Sequence, residues 1–195
     1  MDVNLLLFED FETLDIFGPI EILARVEDYQ LRYYSLAGGI ITNAQGVKVL
    51  TEPVSQADSR GILVLPGGRG TRPLVKDADF LLKLKNLAEH ASFCLSICTG
   101  SALLGKCGVL EGKKATSNKK ALDWVRSVNE NVHWVEKARW VVDGKYYTSS
   151  GVSAGMDMAL GFVRDQIGAE KAAEIAHHIE YIWNEEADED PFARL

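Results

Sequence analysis

The sequence has few residues of the kinds that cross-link a chain or bind a metal. Its 195 residues include only three cysteines and four histidines. A sparse and odd set of cysteines, in a chain without a recognisable export signal, predicts reduced thiols and a cytoplasmic location. The histidines show no ligand spacing relative to the cysteines, so we expect no metal site.

A surplus of positive charge and long apolar runs are also missing. Lysine and arginine number 21 against 28 aspartates and glutamates, a formal net charge of −7. This balance argues against nucleic acid or an anionic membrane as a partner. No stretch approaches the roughly 20 apolar residues of a membrane-spanning helix, and the opening MDVNLLLFEDFETLD lacks the basic region of a signal peptide. The acidic stretch NEEADEDPF is predicted to be a solvated tail.

Short β-type runs alternate with helical stretches along the chain, which predicts an α/β fold. The sheet should be doubly wound and mostly parallel, with flanking helices, in a single domain over residues 1–195. Strands are predicted at residues 3–8, 29–37, 61–68, 92–97, 132–135, 139–144 and 145–150, the last two forming a hairpin around Asp143-Gly144. Helices are predicted at residues 15–26, 77–90, 99–108, 119–128, 153–168 and 169–185.

The stretch FCLSICTGSALLG places Cys98 between a predicted strand and a predicted helix. The small residues Thr99, Gly100 and Ser101 permit a tight turn there, and the amides of Thr99 and Gly100 would point at a group bonded to the sulfur. A helix N-terminus lowers the pKa of a thiol and favours the reactive thiolate. The alternative is that Cys98 is a buried structural cysteine at the end of a strand.

A second strand end, in ILVLPGG, carries Gly67 and Gly68. Adjacent glycines let the backbone approach a ligand closely and leave their amides accessible. The amides of Gly68 and Thr99 would then form an oxyanion-hole type donor pair. The alternative is an ordinary Pro-Gly turn.

Asp15, in TLDIFGPIE, has two interpretations. It caps the helix that begins at Ile16, or it faces Cys98 as a partly buried acid with a raised pKa that exchanges protons with a reacting group. Glu21 is a rival for that role, and we expect Glu12 to face solvent. The carboxyl ends of parallel strands share one edge of a sheet, so the topology predicts that all these strand ends converge.

Four stretches, in this order, resemble the ThiJ/PfpI superfamily: LLLFEDFETLDIFGPIEIL, ILVLPGG, SICTGSALLGKCGVLEGKKAT, and the closing SSGVSAGMDMALGFVRDQIG with AHHIEY and DEDPF. The resemblance covers nearly the whole chain and implies the class I glutamine amidotransferase-like (flavodoxin-like) fold with a nucleophile elbow. It implies Cys98 as the nucleophile, Asp15 as the acid that contacts it, and Thr99 as the residue after it. Gly68, preceded by Gly67, matches the glycine whose amide faces the sulfur.

Within the superfamily the chain looks most like the isonitrile hydratase branch. This resemblance implies hydration of an isonitrile to an N-substituted formamide, with no cofactor, a small-molecule substrate and a homodimer. Two departures matter. Thr99 stands where peptidase-like members have histidine, and Asn118 stands where hydratase-like members often have histidine. Asn118 and Gly100 are both possible pocket residues. The alternatives are an amidase- or peptidase-like activity, a glyoxalase-like activity, and a redox sensor in which Cys98 is oxidised without turnover.

Overall fold

Six parallel strands form the centre of an eight-stranded sheet, and an antiparallel strand lies at each edge. The computed structural model describes residues 1–193. The sheet order is β3-β4-β2-β1-β5-β6-β10-β9, and β7 and β8 form a separate parallel pair. The strands are β1 (Asp2–Leu6), β2 (Gln30–Ser35), β3 (Gly39–Thr42), β4 (Lys48–Pro53), β5 (Ile62–Leu65), β6 (Phe93–Ser96), β7 (Lys114–Ala115), β8 (His133–Trp134), β9 (Trp140–Asp143) and β10 (Tyr146–Ser149).

Helices cover the sheet on both faces. They are α1 (Thr13–Leu23), α2 (Thr71–Leu74), α3 (Ala78–His90), α4 (Gly100–Lys106), α5 (Leu122–Val128), α6 (Ala154–Gln166) and α7 (Ala169–His178), with short 3₁₀ turns at Val54–Gln56 and Lys119–Ala121. Helix α6 packs against α1 and α7, whereas α4 packs against α2, α3 and α5. The strand order runs in opposite directions from β1, and the general preference for right-handed crossovers then places helices on both faces. No helix in residues 1–193 is long and apolar enough to cross a membrane.

The central strands are apolar on both sides because helices cover both faces of the sheet. Leu5 of β1 lies beside Val64 of β5, and Val64 lies beside Leu95 of β6. All three side chains are completely buried. Continuous apolar runs are typical of such doubly covered parallel strands. The predicted fold class is therefore confirmed; the single-domain prediction for residues 1–195 stays a prediction, and its last two residues lie outside the described part of the chain.

Some elements differ from the sequence prediction. The edge hairpin of β3 and β4, the short helix α2 and strand β7 were not predicted. The last helix was predicted too long, because it ends at His178 and not at residue 185. Beyond it Glu180 adopts a φ of 52°, and the chain turns back so that Tyr181 and Trp183 hydrogen-bond to Asp157.

The acidic C-terminal stretch is docked through Asp190, so the prediction of a solvated tail was wrong for this residue, whereas the other acidic side chains of the stretch are exposed. The carboxylate of Asp190 is buried between two basic side chains, with Lys119 Nζ at 3.9 Å and Arg139 Nη1 at 3.6 Å. Arg139 Nε also donates to the buried Asp157 at 2.6 Å. Burial lowers the pKa of Lys119 to about 8, although Asp190 opposes the shift. Opposite charges therefore hold this segment against the domain.

Four neighbouring strands bring their carboxyl ends to one place. Strands β1, β5, β6 and β10 are parallel and adjacent in the sheet. The loops that follow them therefore lie side by side, and a bridge between Phe11 and Gly68 joins the first two. The predicted convergence of these strand ends is thus found in the structure.

Candidate active site

Cys98 lies on a strained turn between β6 and α4. Its φ is 56°, a left-handed value that a side chain rarely adopts. Hydrogen bonds to three serines hold the turn: Cys98 N donates to Ser150 O at 3.1 Å, and Cys98 O accepts from Ser117 Oγ at 2.8 Å and from Ser101 Oγ of α4 at 3.0 Å. Strain of this kind persists only where the surroundings overdetermine it. The geometry is that of a nucleophile elbow.

Three donor groups lie near the Cys98 sulfur. They are the backbone N–H groups of Thr99 and Val152 and the hydroxyl of Thr99, and each lowers the pKa of the thiol. The amide of Gly100 is not among the donors, because it is bonded to Ile97 O at 3.0 Å. Val152 has a φ of 37°, unusual for a β-branched residue. Two strained residues thus meet at one sulfur.

Asp15 is the acid of the site. It lies in the first turn of α1 and does not cap it, since Glu12 occupies the cap position. Its side chain is fully buried, Oδ2 accepts from Gly67 N at 2.8 Å, and Oδ1 has no conventional hydrogen-bond partner among residues 1–193. The Cys98 thiol is a further hydrogen-bonding neighbour of this carboxyl. Burial raises the pKa of Asp15 to about 8, and the charge of Glu12 adds to the shift, so the group is a neutral acid at pH 7.

The resting sulfur is a thiol and not the predicted thiolate. Cys98 is only 6% exposed. Burial raises the pKa of Cys98, the charge of an ionised Asp15 adds to the effect, and the donors of Thr99 and Val152 oppose it only in part. Because the two acids share one site, they titrate as a pair. The prediction of a standing thiolate was wrong, since desolvation outweighs the amide dipoles.

Gly67 and Gly68 contact Asp15 and Thr99, and do not form the predicted oxyanion-hole pair of Gly68 N with Thr99 N. Gly68 N donates to Thr99 Oγ1 at 3.1 Å, while Gly67 N holds Asp15. The donor pair at the sulfur is therefore Thr99 with Val152, in place of Thr99 with Gly68. A Cβ on Gly67 would lie 2.5 Å from Thr99 N and 2.9 Å from Cys98 Cβ. Only glycine permits this approach.

The remaining predicted site residues have structural roles. A Cβ on Gly100 would lie 2.7 Å from Leu65 O, so this glycine lets α4 start against the end of β5. Asn118 caps the turn before α5 by accepting from Lys120 N at 3.0 Å, and its Nδ2 packs against Gly151. Glu21 is exposed and paired with Arg25, which removes it as a rival acid.

Sequence reasoning missed Val152, Thr71 and Arg72. Thr71 is fully buried; its Oγ1 donates to Gly68 O at 2.8 Å and lies 3.1 Å from Thr99 Oγ1. None of the three belongs to a motif that spacing alone reveals. Within residues 1–193 no group of three or more histidine, cysteine, aspartate or glutamate side chains is arranged to hold a metal ion.

A doubly wound sheet with a cysteine on a strained elbow and a buried acid beside it defines a class of α/β proteins built around one thiol. Residues 1–165 match the DJ-1/PfpI family, so this chain belongs to that family. The resemblance drawn from the sequence motifs is confirmed.

Several known proteins are similar to the chain. An isonitrile hydratase of Pseudomonas putida is 30% identical over 182 residues, which cover 93% of this chain and 78% of the relative. A deglycase of Thermococcus kodakarensis is 31% identical over 152 residues, which cover 76% of this chain and 89% of the relative. The crystal structure of a ThiJ/PfpI family protein from Pseudomonas syringae has the same fold, with a TM-score of 0.84 at 24% identity over 98% of this chain and 77% of that one. The family thus contains enzymes of more than one activity.

Proposed function

We propose that the protein hydrates isonitriles to N-substituted formamides, with Cys98 as nucleophile and Asp15 as the proton carrier. The observation that carries this proposal is the fully buried carboxyl of Asp15, held by Gly67 N beside the buried thiol of Cys98, with burial raising the pKa of both groups. An isonitrile accepts both a proton and a nucleophile at one carbon. A neutral acid beside a neutral thiol supplies both without a standing thiolate. The similarity to the Pseudomonas putida isonitrile hydratase supports the same reading.

The first step adds sulfur and hydrogen to the terminal carbon. Asp15 gives its carboxylic proton to that carbon and becomes a carboxylate. The carboxylate takes the proton of the Cys98 thiol as the sulfur forms its bond to carbon. The product is a thioimidate, R–N=CH–S–Cys98, and Asp15 is again protonated. The donors from Thr99 and Val152 stabilise the sulfur while it carries negative charge.

The second step adds water and releases the product. Asp15 protonates the imine nitrogen, and its carboxylate takes a proton from the attacking water. The resulting R–NH–CH(OH)–S–Cys98 loses its C–S bond, the hydroxyl proton returns to sulfur, and R–NH–CHO leaves. The sum is one isonitrile and one water giving one formamide, with the thiol and acid restored. This chemistry uses only groups of the chain.

Access to the sulfur favours a slender electrophile. Because Cys98 is 6% exposed, a reacting carbon with two substituents approaches it poorly. An isonitrile presents a terminal carbon bonded only to nitrogen. The same burial disfavours a redox sensor, because the thiolate is the form that peroxide oxidises and burial raises the pKa of this thiol.

The test is formamide production from cyclohexyl isonitrile. Wild type should produce the formamide, and Cys98→Ala should produce none above the uncatalysed rate. Cys94→Ala is the matched control, since Cys94 is a buried cysteine on β6 of the same chain, and it should keep its activity if folded. Equal turnover by wild type and Cys98→Ala would remove the mechanism.

A second candidate is a glyoxalase-like reaction at a dicarbonyl carbon, with the same acid and thiol. The sequence identity of the chain to a deglycase is comparable to its identity to the isonitrile hydratase, which supports this second candidate. Consumption of methylglyoxal, absent in Cys98→Ala, would support it over isonitrile hydration. A homodimer stays a prediction that light scattering in solution tests.

A further inference from the structure

An arginine and a tryptophan form a stacked pair beside the site. Arg72 of α2 places its guanidinium carbon 3.5 Å from the ring centroid of Trp124 of α5. Arg72 is exposed and Trp124 is half-buried. A guanidinium stacked on a ring has its flat orientation fixed, while its N–H donors point outward in the plane. The pair is therefore a preformed binding surface for a planar anion.

The pair is close to the reacting sulfur. Thr71, directly before Arg72, has its hydroxyl 3.1 Å from that of Thr99, which follows Cys98. Partial burial lowers the pKa of Arg72, and the charge of Cys98, when that thiol is ionised, opposes the shift. The guanidinium thus lies on the side of the site formed by the loop after β5.

Within residues 1–193 Arg72 has no carboxylate partner. Arg126, near Trp124 on α5, is paired with Glu136 at 3.0 Å. Among the described residues no such ion pair forms between Arg72 and a carboxylate, so its contact is the ring of Trp124. An oriented, unneutralised guanidinium beside a nucleophile suits a substrate that carries a carboxylate.

We propose that Arg72, held by Trp124, is a specificity residue that binds a carboxylate on the substrate. The electrophile that reaches Cys98 would then be a small anionic isonitrile such as an isocyano acid. The isonitrile part of this assignment rests on the proposed function, whereas the carboxylate part does not. The alternative is that the stacked pair is surface packing without a ligand.

The first test uses alkylation of Cys98 and needs no turnover. Iodoacetate carries a carboxylate and iodoacetamide is its neutral analogue; each loses iodide as the sulfur bonds to its carbon. The rate ratio of iodoacetate to iodoacetamide at Cys98, read by peptide mass spectrometry, should fall by about fivefold in Arg72→Gln, the size of an exposed ion pair. Arg69→Gln is the matched control, because Arg69 is an exposed arginine on the same loop, outside the stack. An unchanged ratio in Arg72→Gln, or an equal fall in both variants, would overturn the assignment.

The second test compares isocyanoacetate with its methyl ester as substrates. The kcat/KM ratio of acid to ester should fall in Arg72→Gln and stay unchanged in Arg69→Gln. Absence of turnover with both compounds and with cyclohexyl isonitrile would refute the proposed function while the alkylation ratio still decides the role of Arg72. If the enzyme turns over both isocyanoacetate and its methyl ester, and Arg72→Gln leaves their kcat/KM ratio unchanged, the carboxylate site is refuted but the proposed function is not.

Discussion

The backbone amide of Val152 is a neighbour of the Cys98 thiol that favours its ionised form, and both residues have a positive φ, 37° and 56° respectively. Val152 lies three residues beyond the end of β10, and Cys98 lies two residues beyond the end of β6, its parallel neighbour. A strained β-branched residue costs about 1–3 kcal/mol. The strained backbone at Val152 brings its amide close to the nucleophile Cys98.

Replacing Val152 with glycine should weaken this placement without unfolding the chain. Relief of the φ strain opposes the added chain entropy of glycine, so the free energy of unfolding should change by no more than about 1 kcal/mol. The alkylation rate of Cys98 at fixed pH should fall by roughly fivefold, the size of one net hydrogen bond. Val152→Asn tolerates a positive φ and should keep most of the rate. Glycine keeps the backbone N–H, so equal rates in wild type and Val152→Gly would show that the valine side chain is not needed to hold this amide at the sulfur.

Asp15 should make stability depend on pH. Its pKa is raised from 3.8 to about 8 by burial, so the folded chain holds a proton that the unfolded chain releases between those values. The stabilising contribution is complete below pH 3.8 and is lost as the pH rises through about 8. In Asp15→Asn, urea unfolding at pH 5, 6, 7 and 8 should lose this slope, which is at most about 1.4 kcal/mol per pH unit.

The matched control for that series is Glu21→Gln, an exposed acid on the same helix. It should keep the wild-type slope. A slope in Asp15→Asn equal to that of wild type would mean that the carboxyl is ionised in the folded chain, and the proton relay would lose its acid.

Gly67→Ala should damage both stability and the site. Its Cβ would lie 2.5 Å from Thr99 N, and overpacking of this kind costs about 1–3 kcal/mol. Gly105→Ala, in α4, is the control, because its nearest neighbour would be Trp134 at an ordinary 3.5 Å. That variant should gain about 0.5–1 kcal/mol from helix propensity. Thermal unfolding measures both, and a neutral Gly67→Ala would contradict the close approach described here.

Asp190→Ala should destabilise the domain. It would leave Lys119 and Arg139 buried with less compensation, and removal of one partner from a buried ion pair costs about 3 kcal/mol or more. Asp188→Ala, an exposed acid in the same segment, should change the free energy of unfolding by less than about 0.5 kcal/mol. Urea unfolding measures both free energies. If the segment were a solvated tail, as its composition predicts, the two variants would have the same free energy of unfolding.

The fold and the elbow were predictable from sequence because local pattern determines them. Continuous apolar runs predicted the strands β1, β5 and β6, and the small residues after Cys98 predicted the tight turn. The edge strands β3 and β4 escaped prediction because their exposed residues Ile40 and Leu50 blur the alternation of a half-buried strand.

The ionisation state and the supporting residues were beyond sequence reasoning for a different reason. The pKa of Cys98 depends on how completely the fold excludes water, and a helix N-terminus alone predicted the opposite sign. Val152 and Thr71 reach the site through tertiary contacts 54 and 27 positions from Cys98 in the sequence. No spacing rule connects residues so far apart.

The most direct measurement of the central claim is the mass of the Cys98 peptide during turnover. Rapid acid quenching of wild type mixed with cyclohexyl isonitrile should trap a thioimidate, which adds the full mass of one isonitrile to that peptide and to neither of the other cysteine peptides. This adduct should form and decay at rates consistent with formamide release. Steady formamide production with no adduct on Cys98 at any time would contradict it.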